Sequence, residues 1–111
     1  MANIKQVLQK SGVPAVRLVW KVRKGEEKPK TYQTFQRITK TPTVSADDQP
    51  KMEAETWYVR IITKEDYENL VDTTVKNLRE AGFYVPSIDQ ETYEPETGYW
   101  IVPITAQIIK E

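Results

Sequence analysis

The side chains best equipped for chemistry are a group of carboxylates and a set of strand-borne aromatics. Asp47-Asp48, with Glu53 and Glu55 close behind, could gather around a divalent cation, because Mg²⁺ and Ca²⁺ take oxygen ligands. EF-hand spacing and its glycine are absent, however, and adjacent aspartates are at home in solvated turns, so the expectation is a turn and no metal. Trp20, Tyr32, Phe35, Trp57, Tyr58 and Trp100 lie in strand-like segments, some beside basic residues, which is the material of a base-stacking platform. Neither the βαββαβ order nor the glycine-aromatic strands of an RNA-recognition domain is present. Trp20, Trp57 and Trp100 each fall on the apolar face of their own segment, so they are assigned to the core.

What the chain lacks narrows the chemistry further. With no Cys and no His, it has no disulfide, no thiolate nucleophile, no Zn–thiolate site and no Ser–His–Asp or Cys–His arrangement. There is no P-loop or dinucleotide fingerprint, and Lys24-Gly25-Glu26-Glu27-Lys28 is too poor in glycine to cradle phosphate. A hydrolase built on carboxylates alone would need a pocket holding two acids with displaced pKa values. The expectation is no catalytic residues, no cofactor and no enzymatic activity.

The 111 residues carry 16 basic and 16 acidic side chains and no net charge, which argues against a dedicated nucleic-acid or anionic-membrane binder. The distribution is uneven. Arg17, Lys21, Arg23, Lys24, Lys28 and Lys30 crowd one stretch, whereas Pro86 to Gly98 holds only acids: Asp89, Glu91, Glu94 and Glu96. This predicts a basic end and an acidic end, suited to head-to-tail contacts that close into a ring when the rotation permits. No apolar run approaches the roughly 20 residues of a membrane span, and the polar N-terminus lacks a signal peptide's apolar core, so a soluble cytoplasmic protein is expected.

The elements that must position these residues follow from periodicity. Ile4, Val7 and Leu8 mark a short helix from Ala2 to Ser11. Val16, Leu18, Trp20 and Val22 alternate with Arg17, Val19, Lys21 and Arg23 as a half-buried strand, joined through a Lys24–Lys30 hairpin loop to a second strand at Thr31–Thr39. Lys40 to Pro50, with Pro42, Pro50 and no periodicity, is expected to be a long functional or mobile loop. Met52 to Ile62 is the best-defined strand, with Trp57, Val59 and Ile61 on its buried face. Thr63-Lys64-Glu65-Asp66 has the form of a capping box, opening a helix from about Lys64 to Ala81 that Gly82 ends. The apolar stripe of that helix is Tyr67, Leu70, Val71, Thr74, Val75, Leu78 and Ala81. A short strand, Phe83–Val85, should stop at Pro86, and an acidic loop should reach Gly98. A last strand runs Tyr99–Ile109, where Pro103 suggests an edge or a bulge. The expected fold is one α+β domain spanning 1–111: a mainly antiparallel sheet with two helices packed on one face, in the order α-β-β-β-α-β-β.

Tyr32-Gln33-Thr34-Phe35, a proline-containing loop with Ala46-Asp47, the strand Trp57 to Ile62 and the helix opening Thr63-Lys64-Glu65-Asp66-Tyr67 form one ordered series. It continues through Leu78-Arg79-Glu80-Ala81-Gly82-Phe83, Glu91-Thr92-Tyr93 and Gly98-Tyr99-Trp100. Over residues 30 to 109 this series resembles the tail terminator and tail-completion (minor tail) proteins of long-tailed phages and prophages. The resemblance implies a structural protein that forms a ring, commonly a hexamer, on the head-proximal end of the tail tube. Such a ring stops tube polymerisation and mediates head–tail joining. Its partners would be further copies of itself, the tail tube protein and the head connector protein, with no membrane and with DNA only passing through the lumen. It would act in the host cytoplasm during assembly and then in the virion tail. In that role Lys21, Arg23, Lys24 and Lys28 would face Glu91, Glu94 and Glu96 of a neighbour, and the loop Thr41 to Pro50, which holds Asp47 and Asp48, would meet the tail tube or its lumen. A head–tail connector or neck protein, and a nucleic-acid-binding module using the basic strand 15–30, are the alternatives.

Overall fold

In a computed structural model, which describes residues 3–44 and 50–110, the chain is a small α+β domain. It contains α1 (Ile4–Gln9), β1 (Ala15–Arg17), β2 (Thr31–Val44), β3 (Pro50–Thr63), α2 (Glu68–Glu80), β4 (Tyr84–Ile88), β5 (Thr92–Glu94) and β6 (Tyr99–Lys110). The strands form one six-stranded sheet in the order β1-β2-β3-β6-β4, with β5 also paired to β6. Every pairing is antiparallel except β1 with β2.

Strand β3 is the spine, and its period of two explains why. Trp57, Val59 and Ile61 stand opposite Ala106, Ile104 and Val102 of β6, and all of them are buried. Helix α2 lays Val71, Val75 and Leu78 into the same cluster, as α1 does Ile4, Val7 and Leu8. A six-residue helix is unstable alone, so α1 depends on this packing and on Asn3, whose side chain accepts from the Lys5 amide at 2.8 Å. Helix α2 ends as its sequence requires. Gly82 sits at φ +96°, and the amides of Gly82 and Phe83 donate to the carbonyls of Arg79 and Leu78, the paired bonds of a Schellman motif.

Several expectations are corrected. The strand from Val16 to Arg23 stops at Arg17, and β1 runs parallel to β2, so residues 18–30 are not a hairpin loop. Parallel neighbours need a crossover of about a dozen residues, and this segment supplies it. It leaves the sheet through a γ-turn in which the Val19 amide reaches the Arg17 carbonyl at 2.7 Å, with Leu18 at φ +65°. Consequently Leu18 and Val22, expected on the buried face, are exposed, as is Val19.

Of the expected loop Lys40–Pro50, residues 40–44 and 50 are strand, and residues 45–49 lie outside the described residues. β2 continues to Val44 and β3 begins at Pro50, with Val44 opposite Pro50. The alternation there is hidden by a bulge at Ile38, which opposes no β3 residue and reverses which side chains share a face.

Helix α2 begins at Glu68, not near Lys64. The Thr63 hydroxyl accepts from the Glu65 amide and Asp66 accepts from the Glu68 amide, so the expected box resolves into two successive turns. β4 runs through Pro86, which a bulged edge strand tolerates. The expected loop after it contains the rest of β4 and all of β5, a sixth strand.

Pro103 lies on an interior strand, contrary to the edge reading, yet costs no ladder bond. Its carbonyl accepts from the Asp89 amide, so its missing N–H points to the same side, where β4 has ended and β5 has not begun.

A polar hub lies in the helix-side core. Gln33 is fully buried, its Nε2 donating to the Leu8 carbonyl at 3.0 Å and to the Ser11 hydroxyl at 3.4 Å, while its Oε1 accepts from Thr74 Oγ1 at 3.3 Å. One side chain thus ties β2 to both helices. On the reverse face Tyr32, Ile62 and Tyr99 form a second cluster, with Trp20 and Ile101 packed against it.

Candidate interaction surface

The crossover 18–30 carries the basic residues, and specific contacts hold it against the reverse face. The Leu18 amide donates to the Phe35 carbonyl at 2.9 Å. Arg60 reaches across from β3, donating through Nη2 to the Leu18 carbonyl and through Nε to Thr34 Oγ1. The Trp20 ring packs on Tyr32 with centroids 5.5 Å apart, and Tyr32 meets Tyr99 edge to face at 5.8 Å. At the far end Tyr99 donates its hydroxyl to the Pro29 carbonyl at 2.8 Å, and the Lys64 ammonium lies 5.0 Å from the Tyr99 ring centroid. This clamp fixes the path of the crossover while leaving Lys21, Arg23, Lys24 and Lys28 exposed.

Both clamp tyrosines titrate above their usual range. Burial is the main cause for Tyr32, reinforced by the neighbouring Tyr99 and Glu94 and opposed by Arg60; burial alone raises Tyr99. The native state therefore keeps protons that the unfolded chain has already lost. Stability should hold up to about pH 10, the unfolded tyrosine value, and fall as pH rises beyond it. Urea unfolding between pH 8 and 11.5 should show this decline, and Tyr32→Phe/Tyr99→Phe should flatten it. An unchanged slope in the double variant would remove the tyrosines as its cause.

Arg17, Lys21 and Arg23 share a concavity with one cation that sequence reading did not bring to them, Lys5 from α1. Val19 and Trp20 line it as well, and Glu26 is its one acid. The Arg17 guanidinium is also structural, 5.3 Å from the Phe35 ring centroid and 5.6 Å from that of Trp57. Helix α1 could not be placed beside the crossover from spacing, since its seat depends on tertiary packing. Lys24 and Lys28 are not among the residues lining this concavity.

The acids lie on the β5–β6 hairpin. Glu94 closes β5 and the turn is self-contained: the Gly98 amide donates to the Glu94 carbonyl at 2.8 Å and the Thr97 hydroxyl to Glu94 Oε1 at 3.1 Å. Glu94 and Glu96, with Tyr93, Pro95 and Thr97, frame a shallow hollow. Glu91 is exposed just before β5. Tyr93 stacks on Trp100 with centroids 4.7 Å apart, and Trp100 on Tyr67 at 5.9 Å, so Trp100 supports the hairpin rather than filling the central core.

The picture of two opposite ends is therefore corrected. β1 pairs with residues 33–35 of β2 and β5 with residues 99–101 of β6, which lie at the same end of the sheet. Laterally they are separated by β2, β3 and β6. β1 and β5 thus share one end and occupy opposite flanks, while the crossover spans the reverse face between them, its Pro29 reaching Tyr99 opposite Glu94. Among the described residues no ion pair joins them.

Asp47 and Asp48 lie outside the described residues. Glu53 pairs with Lys40 at 3.1 Å. Glu55 is buried, accepting from Trp57 Nε1 at 3.2 Å with Arg37 at 3.8 Å. Both of these carboxylates are engaged within the sheet. Among the described residues no group of three or more acids is placed to hold a metal, and no helix is long and apolar enough to cross a membrane. Compared with known proteins, the chain matches no protein-family model and no curated protein.

Proposed function

We propose that this chain is a non-catalytic structural subunit of a phage or prophage tail, closing into a ring at the head-proximal end of the tail tube. Such a ring ends tube polymerisation and offers the joint to the head. The observation that carries the reading is the lateral separation of charge at one end of the sheet: cations on the β1 flank, carboxylates on the β5 flank. A subunit so marked can meet its neighbour side by side at constant height, and a heterologous contact of that kind closes when its rotation divides the circle. The finer fold reading belongs with it: two helices over one sheet face in the order α-β-β-β-α-β-β, extended by the added strand β5, is the arrangement that the resemblance implies. Partners are further copies, the tube protein and the head connector, met in the host cytoplasm and retained in the virion tail.

Absolute mass by light scattering after size exclusion tests this. A discrete oligomer of about six subunits is expected. Lys24→Glu/Lys28→Glu should weaken it, since reversed flank charges slow encounter and oppose docking. Unchanged assembly of that variant at physiological salt would remove these two lysines from the interface.

A nucleic-acid-binding module is the second reading, favoured by the four cations around one concavity. It requires DNA affinity that falls steeply between low and moderate salt.

A further inference from the structure

Resting on the ring reading, we infer that the β5–β6 turn of one copy seats in the β1-flank concavity of the next. The concavity presents Lys5, Arg17, Lys21 and Arg23 against the single acid Glu26. The turn presents Glu94 and Glu96, with no cation among the residues that frame it. Charge is not the only match. Val19 is 55% exposed in the concavity and Tyr93 is 47% exposed beside the turn, so each side offers an uncovered apolar group next to its charges. Partly buried ion pairs flanked by apolar contact give register and orientation, which a ring of fixed subunit number needs.

Within one copy the two charge groups do not meet: among the described residues no ion pair joins the concavity's cations to Glu94 or Glu96. Strand axes lie about 4.8 Å apart, so β1 and β5, with three strands between them, are roughly 19 Å from one another. The turn is closed on itself by the bonds to Glu94, and the crossover is fixed by Trp20, Arg60 and Tyr99. Neither element is free to swing across the sheet. A second copy is the occupant whose acidic turn lies on the opposite flank at the same end.

Two double reversals test the pairing: Lys5→Glu/Lys21→Glu for the socket and Glu94→Lys/Glu96→Lys for the turn. All four side chains are exposed, and circular dichroism checks that each variant is folded. Arg17 is left alone because its guanidinium covers Phe35 and Trp57. Each double variant alone should raise the subunit dissociation constant by about tenfold or more, beyond the effect of Lys24→Glu/Lys28→Glu. Mixed in equal amounts, the two should recover wild-type mass, because every turn then faces a socket of opposite sign.

Wild-type protein that stays monomeric to millimolar concentration would overturn both the ring and this contact. A wild-type oligomer whose mass neither reversal changes would overturn this contact and leave the ring reading standing. Binding of a DNA oligonucleotide that Lys5→Glu/Lys21→Glu abolishes, without any self-association, would give the concavity to nucleic acid and overturn the inference.

Discussion

Leu78→Ala is expected to lower the unfolding free energy by about 3 to 4 kcal/mol, the middle of the range for large-to-small changes in a closed core. Leu78 is fully buried on α2 and packs in the cluster that holds Val59, Ile61 and Ile104. It has a second role, since its carbonyl accepts the Phe83 amide at 2.9 Å and so closes the helix. In a Schellman motif the side chains at these two positions commonly touch, and here both Leu78 and Phe83 are buried in the same cluster. Alanine would keep the backbone bond but leave a void beneath the helix end, where the sheet cannot collapse to fill it. Denaturant unfolding should show a lower midpoint with unchanged slope. A loss below about 1.5 kcal/mol would mean that α2 can shift to fill the space, and that the helix is less firmly seated than its burial indicates.

Gln33→Ala should cost about 3 kcal/mol, combining a cavity with the loss of hydrogen bonds at a fully buried site. Its amide joins the Leu8 carbonyl and the Ser11 hydroxyl at the end of α1 to the Thr74 hydroxyl on α2. The two parts of the cost can be separated. Gln33→Met keeps most of the volume and removes only the polar contacts, and it should cost about 1 to 2 kcal/mol. The Leu8 carbonyl still accepts from the Ser11 hydroxyl at 3.0 Å, so it is not orphaned, whereas Thr74 loses its side-chain partner. Amide exchange gives an independent reading: protection across α1 should fall first, because this short helix depends on the tie. A methionine variant as stable as wild type, with α1 still protected, would show that packing alone seats the helix.

Such losses are large for a domain of this size, whose total stability is of the order of 5 to 15 kcal/mol. They also bear on assembly. Lys5 lies on α1 and Arg17 just beyond the α1–β1 turn, so loosening α1 would disorganise the socket before the sheet itself unfolds.

The elements legible in the sequence were those specified by local pattern. β3 and the core face of β6 follow from a period of two that survives in any context where one face is buried. The stripe of α2 and its end at Gly82 follow from a helical repeat and from the single residue type that accepts positive φ without cost. The absence of Cys and His, the net neutrality and the two charged segments are likewise properties of composition, as is the chemistry they rule out.

Tertiary structure alone decided where those segments lie. Val16 to Arg23 has a strand's alternation, but β1 pairs in parallel with β2, so most of the segment became the crossover that parallel pairing demands. Leu18 and Val22 turned outward, Trp20 packed on the reverse face, and the segment's cations Arg17, Lys21 and Arg23 were joined by Lys5 from α1. The bulge at Ile38 concealed the length of β2, and Pro103 sits inside the sheet because the break between β4 and β5 happens to face its missing donor. The physical reason is common to all of these. Alternation and helical repeat record which side of an element is buried, a local quantity; pairing direction, register and lateral order depend on partners distant in the chain and leave no periodic trace.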